Sequence, residues 1–200
     1  MSYTRQIGYK ITPDESFRII RNCSGCGKKS GFLNTSCFRV NANGRKIDIW
    51  LIYQCENCKH TTNLTVYERR NPQSIEREEY EKFLSNSSEL ALKYGTDSQF
   101  LSRNKAEIDW TSIRYSFIRQ DGALQGDSQF FQKDDLLVID NTCMLKIRKE
   151  KVAGELLKVS GSKIKELEKS GIITVEECRM RHHIRIEIHE ELRWELDDPA

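Results

Sequence analysis

Residues 1–70 carry the short apolar runs that are typical of strands separated by turns. The two clearest runs, residues 37–40 and 47–53, flank the step Asn43-Gly44. An Asn-Gly step between two β-prone runs predicts a hairpin, because both residues tolerate positive φ. Residues 17–20 form another β-prone run before the hairpin, and residues 61–67 are predicted as the strand that follows it.

Residues 71–110 change to a helical period. Apolar residues recur at spacings of three and four between residues 80 and 94, and the tract Ser-Asn-Ser-Ser at 85–88 predicts a break into two helices. Gly95 is placed as a helix stop, and Asp97 as the N-cap of a further short helix over residues 98–108. We interpret this acidic segment as a connector.

Residues 111–200 combine strands with two short helices. The helices are predicted at residues 151–157 and 162–170. Alternation predicts a half-buried strand at 113–117, and a continuous apolar run predicts a buried strand at 136–139. Turns are predicted at 121–122 and 126–127. The alternating residues 184–196 predict one long strand, or two with a break near Glu190.

Two Cys-x-x-Cys pairs interrupt the strands of the first segment. Cys23 and Cys26 precede the hairpin, and Cys55 and Cys58 follow it. Four thiolates at this spacing can enclose one zinc ion tetrahedrally. The pattern resembles a zinc ribbon over residues 15–68, which implies a three-stranded antiparallel sheet. A redox role is disfavoured because neither pair precedes a helical pattern.

A shell of four thiolates leaves no open coordination position, so the expected zinc ion is structural. No Ser-His-Asp set, phosphate loop or acidic metal centre is present in the sequence, and we expect no catalysis. No apolar run approaches the roughly 18–20 residues that span a bilayer. The first residues lack the apolar stretch of a signal peptide, and seven cysteines fit a reducing compartment, so we expect a cytoplasmic protein.

The net charge of +2 hides a division into blocks of opposite sign. Residues 1–70 hold 12 Lys and Arg against 5 Asp and Glu, and residues 143–170 hold 8 against 4. Residues 71–142 hold 8 against 13, and residues 171–200 hold 4 against 8. Two basic blocks are compatible with binding to nucleic acid, although ordinary solvated surface has the same composition.

The second basic block resembles the α-L RNA-binding motif of ribosomal protein four of the small subunit. That motif runs Arg-Leu-Asp, a short helix, Ser-Arg-Ser opening a second helix, and Gly-x-Val-x-Val. Over residues 146–175, Arg148 and Glu150 hold the first positions, followed by residues that match the serine, apolar and glycine positions: Val152, Leu156, Ser160, Ser162, Ile164, Leu167, Gly171, Ile173 and Val175. The resemblance implies recognition of structured RNA by shape.

Several positions depart from the motif. Lys149 replaces a leucine, Gly161 replaces the arginine between the serines, and Glu168 replaces an apolar residue. The same stretch also resembles the recognition helix of a winged DNA-binding regulator, except that Gly154 and Lys158 occupy the places of its usual alanine and glycine. A plain helical hairpin with solubilising lysines is a further interpretation.

These patterns together predict an α+β chain of three parts: a zinc ribbon (1–70), an acidic helical connector (71–110), and a C-terminal α/β module with a helical hairpin and antiparallel strands (111–200). The layout is similar to an uncharacterised bacterial family that pairs a zinc ribbon with such a C-terminal element.

We expect a nucleic-acid-binding protein with one structural zinc ion, RNA being favoured over DNA, and with no membrane partner; the sequence identifies no small-molecule substrate. The alternatives are a helix-turn-helix DNA-binding regulator and an adaptor that docks a protein through exposed Phe38, Trp50 and Tyr53. The expected nucleic-acid-binding residues of the two basic blocks are Arg148, Lys151, Lys158, Ser162, Lys163, Lys165, Lys169, Lys28, Lys29, Arg45 and Lys46.

Overall fold

The computed structural model describes residues 5–120, 131–178 and 182–192. The predicted turns at 121–122 and 126–127, and the part of the last predicted strand beyond residue 192, lie outside these ranges. Within them the chain is mixed α+β. The strands, in chain order, are β1 (Arg5–Pro13), β2 (Ile19–Cys23), β3 (Lys28–Asn43), β4 (Lys46–Cys55), β5 (Thr61–Arg70), β6 (Glu107–Ile108), β7 (Tyr115–Arg119), β8 (Asp135–Asp140), β9 (Ile173–Cys178) and β10 (His183–Ile188). The helices are α1 (Arg77–Leu84), α2 (Ser88–Gly95), α3 (Ser98–Arg103), α4 (Lys149–Leu157) and α5 (Gly161–Lys169).

The chain divides into two compact units. One comprises Pro13–Tyr115, and the other comprises Met1–Thr12 together with Ser116–Ala200. The predicted boundaries lay at residues 70 and 110 instead. The difference arises because α1–α3 share a unit with the cysteine-bearing strands, while β1 joins the sheet of the C-terminal residues. None of the described helices combines the length and hydropathy needed to cross a bilayer.

The sheet of the Pro13–Tyr115 unit has the strand order β5-β4-β3-β2-β6, with antiparallel pairing. The predicted hairpin is present: Asn43 pairs with Lys46, and Gly44 takes the first central position of the turn with φ 63°. A two-residue turn with positive φ matches the twist of the strands it joins. The sheet thus has five strands rather than the three that the ribbon pattern predicts: four of them, β2–β5, lie in the predicted ribbon, and β6 is added from outside it.

Helices α1–α3 belong to this unit, and α1 and α2 contact β3. Aromatic rings fill the space between the sheet and the helices, with the Phe38 and Phe83 centroids 4.9 Å apart. Asparagine side chains join the two layers: Asn34 Nδ2 donates to Ala91 O at 3.0 Å, and Phe38 N donates to Asn86 Oδ1 at 2.6 Å. The predicted connector is thus part of the core.

The helix boundaries follow local capping. Ser87 accepts from the Leu90 amide, and Asp97 accepts from the Gln99 and Phe100 amides, as N-cap residues do. The predicted break at 85–88 is present between α1 and α2. The third helix ends at Arg103 rather than Ile108, because Glu107 and Ile108 pair with β2.

The sheet of the other unit has the order β7-β1-β8-β10-β9. β1 runs parallel to β8, and β10 pairs antiparallel with both β8 and β9. Arg5 forms a two-point ion pair with Asp135, which is fully buried, at 2.6 Å between Nη2 and Oδ2. β10 ends at Ile188, before Glu190. This end agrees with the predicted arrangement in which the alternating segment breaks near Glu190, rather than with one long strand.

Candidate functional sites

The four paired cysteines lie at the ends of two strands of one sheet. Cys23 is the last residue of β2 and Cys55 the last of β4, and each opens a tight turn. The Gly27 amide donates to Cys23 O at 2.8 Å, and the Lys59 amide donates to Cys55 O at 3.1 Å. Gly27 and Lys59, which follow the second cysteine of each pair, have φ of 67° and 64°. The two turns are therefore alike in bonding and backbone.

The turns bring the four sulfur atoms together. The Sγ atoms are 3.4 Å apart for Cys23 and Cys58 and 3.8 Å for Cys26 and Cys55, and all four lie within 4.8 Å of one another. A tetrahedron with Zn–S bonds of about 2.3 Å has edges of about 3.8 Å. All seven cysteines are free, and these separations exceed a disulfide bond length. Four cysteines this close could bind a metal ion such as zinc.

Backbone groups around the sulfur atoms suit thiolate chemistry. Amides of Cys58 and Asn57 hydrogen-bond the Cys55 sulfur and lower the pKa of its thiol to about 6. Burial raises the pKa of the Cys23 thiol. The first turn passes so close to the second that a Cβ on Gly25 would lie 2.8 Å from Cys58 Sγ. This contact requires glycine at residue 25.

Side chains outside the cysteine pairs hold the second turn in place. Arg18 Nε donates to Glu56 Oε2 at 2.8 Å, and Arg18 also pairs with Asp109. Glu56 lies between Cys55 and Cys58, so this ion cluster fixes the turn from outside. His60 faces Ser24, with 2.8 Å between Nε2 and Oγ, and thereby links the two turns. The sequence pattern contains no signal for Arg18, because its partners are 38 and 91 residues away.

The expected basic residues of the first segment do not form one cluster. Lys28 and Lys29 begin β3 beside the cysteine turns, and Lys29 pairs with Glu107 at 3.2 Å. Arg45 and Lys46 lie at the hairpin turn, at the other end of β4. Ten residues of β4, at about 3.3 Å each, separate these two ends by roughly 30 Å. Lys28 and Lys29 therefore lie far from Arg45 and Lys46, and the four side chains do not form one compact patch.

Burial contradicts two of the three exposed anchors that the protein-adaptor alternative predicts. Tyr53 is fully buried and Phe38 is 8% exposed, because both side chains point into the core. Of the three expected anchors, Trp50 alone is half-buried. It lies on the opposite face of β4 from Ile49 and Leu51, since successive side chains of a strand alternate.

The second basic block forms α4 and α5, which pack against each other and against β9. Val152, Leu157, Ile164 and Leu167 are buried on the facing sides. Ser160 is the N-cap of α5 and accepts from the Lys163 amide at 3.2 Å. Two short helices and a strand therefore follow one another where the sequence pattern predicts them.

Lys149 and Glu168, the two charged residues at positions where the α-L motif has apolar ones, contact each other. The ammonium of Lys149 lies 3.2 Å from Glu168 Oε1 and donates to Val175 O at 2.5 Å. Glu168 Oε1 also accepts from the Val175 amide at 3.3 Å. The two residues that replace apolar positions thus form an ion pair that joins α4, α5 and β9.

The lysines of this element fall into two groups. Lys149, Lys151 and Lys163 each pair with a glutamate on these two helices. Lys158, Lys165 and Lys169 are exposed, and none forms an ion pair with a described residue. Lys165 and Lys169 share one face of α5 with Ser162, opposite buried Ile164 and Leu167. The cations available to a partner are therefore concentrated on the outer face of α5 and in the turn before it.

The turn between the helices has tight geometry. Lys158 caps α4 with φ 56° and ψ 40°, the left-handed conformation that favours glycine. A Cβ on Gly154 would lie 2.6 Å from Val159 O, so the helix needs a residue without a side chain there. The turn between α4 and α5 therefore depends on Gly154 and on the left-handed conformation of Lys158.

A family model described as "Protein of unknown function (DUF1062)" matches residues 40–179. This range contains Cys55, Cys58 and the whole α4–α5–β9 element, and begins after Cys23 and Cys26. No curated protein and no solved structure matches the chain.

Proposed function

We propose that this chain, which belongs to the DUF1062 family, is a nucleic-acid-binding protein without catalytic activity. Its ligand is structured RNA, which contacts the α4–α5 element. A structural zinc ion held by Cys23, Cys26, Cys55 and Cys58 stabilises a zinc ribbon in the other unit.

The observation that carries the RNA proposal is the set of exposed lysines without ion-pair partners among the described residues, Lys158, Lys165 and Lys169. Exposed cations that are not neutralised by a neighbouring carboxylate release counterions when they meet phosphates, and this release supplies much of the binding free energy. The neighbouring Ser162 hydroxyl is a further phosphate donor. Arg148, at the N-cap of α4, is a fourth candidate cation. RNA is favoured because the order of helices and strand is the one that the α-L resemblance implies.

The zinc proposal is supported by donor type and spacing. Four thiolates select zinc over hard cations, and the sulfur separations fit a tetrahedral ion. All four positions around the ion are filled by protein, so it has no site for water or substrate. Its role is to hold the ends of β2 and β4 together.

The RNA proposal is tested by fluorescence anisotropy with a blunt RNA duplex of about 16 base pairs, the length that shape-specific modules span. The variant K158A/K165A/K169A is compared with K93A/K105A/K133A, which removes the same charge from exposed lysines elsewhere. The first variant is expected to flatten the plot of log affinity against log salt by about 0.7–0.9 per lost phosphate contact. The control is expected to keep the wild-type slope. Equal slopes for both variants, or no RNA binding by the wild type, would refute the proposal.

A helix-turn-helix DNA-binding regulator is the second candidate, favoured by the turn at Gly154 and Lys158. In that geometry the second helix enters the major groove of DNA. The same anisotropy experiment with a DNA duplex of matched sequence separates the two. Tighter binding to DNA than to RNA, lost in the triple-lysine variant, would replace the RNA proposal with this one.

A further inference from the structure

A sheet face in the Pro13–Tyr115 unit presents an aromatic ring among cations. On β4, Ile49 and Leu51 point into the core, whereas Trp50 lies on the opposite face, where it is half-buried and the next residue on that face, Ile52, is buried. Trp50 pairs across the sheet with Arg39 of β3 and with Thr65 of β5. We call the part of this side around Arg39, Lys46 and Trp50 the open face.

The same half of the sheet is strongly basic. The segments 39–50 and 65–70 carry two acids, Asp48 and Glu68, against five exposed cations, none of which is ion-paired with a described residue: Arg39, Arg45, Lys46, Arg69 and Arg70. Arg70 pairs across the sheet with the core-facing Ile47, and its guanidinium lies 5.7 Å from the Tyr67 ring centroid, so four of these cations are left for the open face. The Asp48 carboxylate already accepts from the Arg69 amide at 2.8 Å. Unpaired cations that repel one another are stabilised by an anionic partner.

The flat shape of the open face, with a tryptophan ring beside cations, indicates which class of anionic partner it binds. An open sheet with an aromatic ring and flanking cations suits single-stranded nucleic acid, in which a base stacks on the ring and phosphates meet the cations. Bases of a duplex are already stacked and cannot reach a flat face. An acidic protein would also meet the cations, but it does not require the indole to lie beside Arg39.

We infer that the open face binds single-stranded RNA, with an unpaired base stacked on Trp50 and phosphates contacting Arg39, Lys46 and Arg69. This inference extends the proposed function, since both assign RNA to this chain. The two use different residues, so that one can fail while the other holds.

The test measures anisotropy of a labelled uridine oligomer of about ten nucleotides, within the range that single-strand-binding folds cover. W50A is expected to weaken its binding at least about fivefold, because stacking on one base is lost. W50F, which keeps a ring, is expected to retain most of the affinity. Binding of the blunt RNA duplex is expected to change by less than about twofold in both variants.

A second variant protects the test against misfolding of W50A. R39Q/R69Q changes exposed side chains and is expected to reduce the salt slope for the oligomer by about 0.7 per lost phosphate contact. K158A/K165A/K169A is expected to leave the oligomer affinity unchanged. The inference is overturned if R39Q/R69Q and folded W50A bind the oligomer with the affinity and salt slope of the wild type. It is also overturned if the wild type does not bind the oligomer. Failure of duplex binding alone refutes the proposed function instead.

Discussion

The ion pair between Lys149 and Glu168 gives the most specific prediction about the helical element. Both residues replace apolar positions of the motif, and together they connect α4, α5 and the Val175 backbone of β9. The perturbation replaces each of the two residues by leucine, first singly and then together. If the two charges compensate each other, the double variant K149L/E168L must cost less than the sum of the two single variants.

The magnitude follows from partial exposure and from the bonds each side chain makes. The side chains of Lys149 and Glu168 are 31% and 26% exposed, so this ion pair is intermediate between a surface pair and a buried pair. A surface pair contributes under about 1 kcal/mol to stability, whereas breaking a buried pair costs about 3–5 kcal/mol. We expect K149L to lower the free energy of unfolding by about 1 kcal/mol. E168L is expected to cost about 2 kcal/mol, since it also leaves the Val175 amide unpaired. The double variant is expected to cost at least about 1 kcal/mol less than the sum.

The assay is urea unfolding of the four proteins, combined with amide hydrogen exchange at Val175. Exchange at this amide is expected to accelerate in E168L and in the double variant, and much less in K149L, because the Glu168 carboxylate is its acceptor. Additivity of the two single variants within about 0.3 kcal/mol would refute the compensation. Unchanged Val175 exchange in E168L would refute the contact itself.

Further predictions concern the metal site and the aromatic core. G25A is expected to weaken zinc binding about tenfold or more in chelator competition, because its Cβ meets Cys58 Sγ at 2.8 Å; wild-type affinity would exclude that close approach. K59G is expected to raise the free energy of unfolding by about 0.5–1 kcal/mol, since glycine tolerates the φ of 64° at this residue, and a loss of stability would contradict the backbone argument. Removing zinc with a chelator is expected to lower the thermal unfolding midpoint, because binding energy contributes to folding; an unchanged midpoint would argue against a structural ion. Burial, together with the hydrogen bond that the Tyr94 hydroxyl donates to Glu79, raises the pKa of Tyr94. The protonated hydroxyl therefore contributes fully to the free energy of unfolding below pH 10, which is about the pKa of tyrosine in the unfolded chain, and this contribution declines as the pH rises further. Y94F is expected to lose that part of the alkaline decline, and a pH profile identical to the wild type would contradict it.

Local patterns identified the features that depend on neighbouring residues. The hairpin at Gly44, the N-cap at Asp97 and the break between α1 and α2 are all encoded within a few residues. The four clustered cysteines were predictable because each pair forms its own turn, and the hairpin joins the two turns. The helices α4 and α5 were visible from their apolar period.

Features that depend on distant partners were not predictable in the same way. The prediction lacks β1 although Ile7, Tyr9 and Ile11 alternate as in a strand, because this alternation is short and its strand partner β8 lies 130 residues further along. The buried positions of Phe38 and Tyr53 depend on α1–α3 packing over the sheet. The pairing of Lys149 with Glu168 likewise needs both helices in place before it can be recognised.

The central claim is that RNA contacts the outer face of α5. It is tested most directly by ultraviolet crosslinking in cells, followed by mass spectrometry of the crosslinked peptides and sequencing of the bound nucleic acid. We predict RNA attached to peptides containing residues 158–169, with that signal lost in K158A/K165A/K169A and kept in K93A/K105A/K133A. Absence of crosslinked RNA, recovery of DNA instead, or a crosslink pattern that the triple-lysine variant leaves unchanged would contradict the claim.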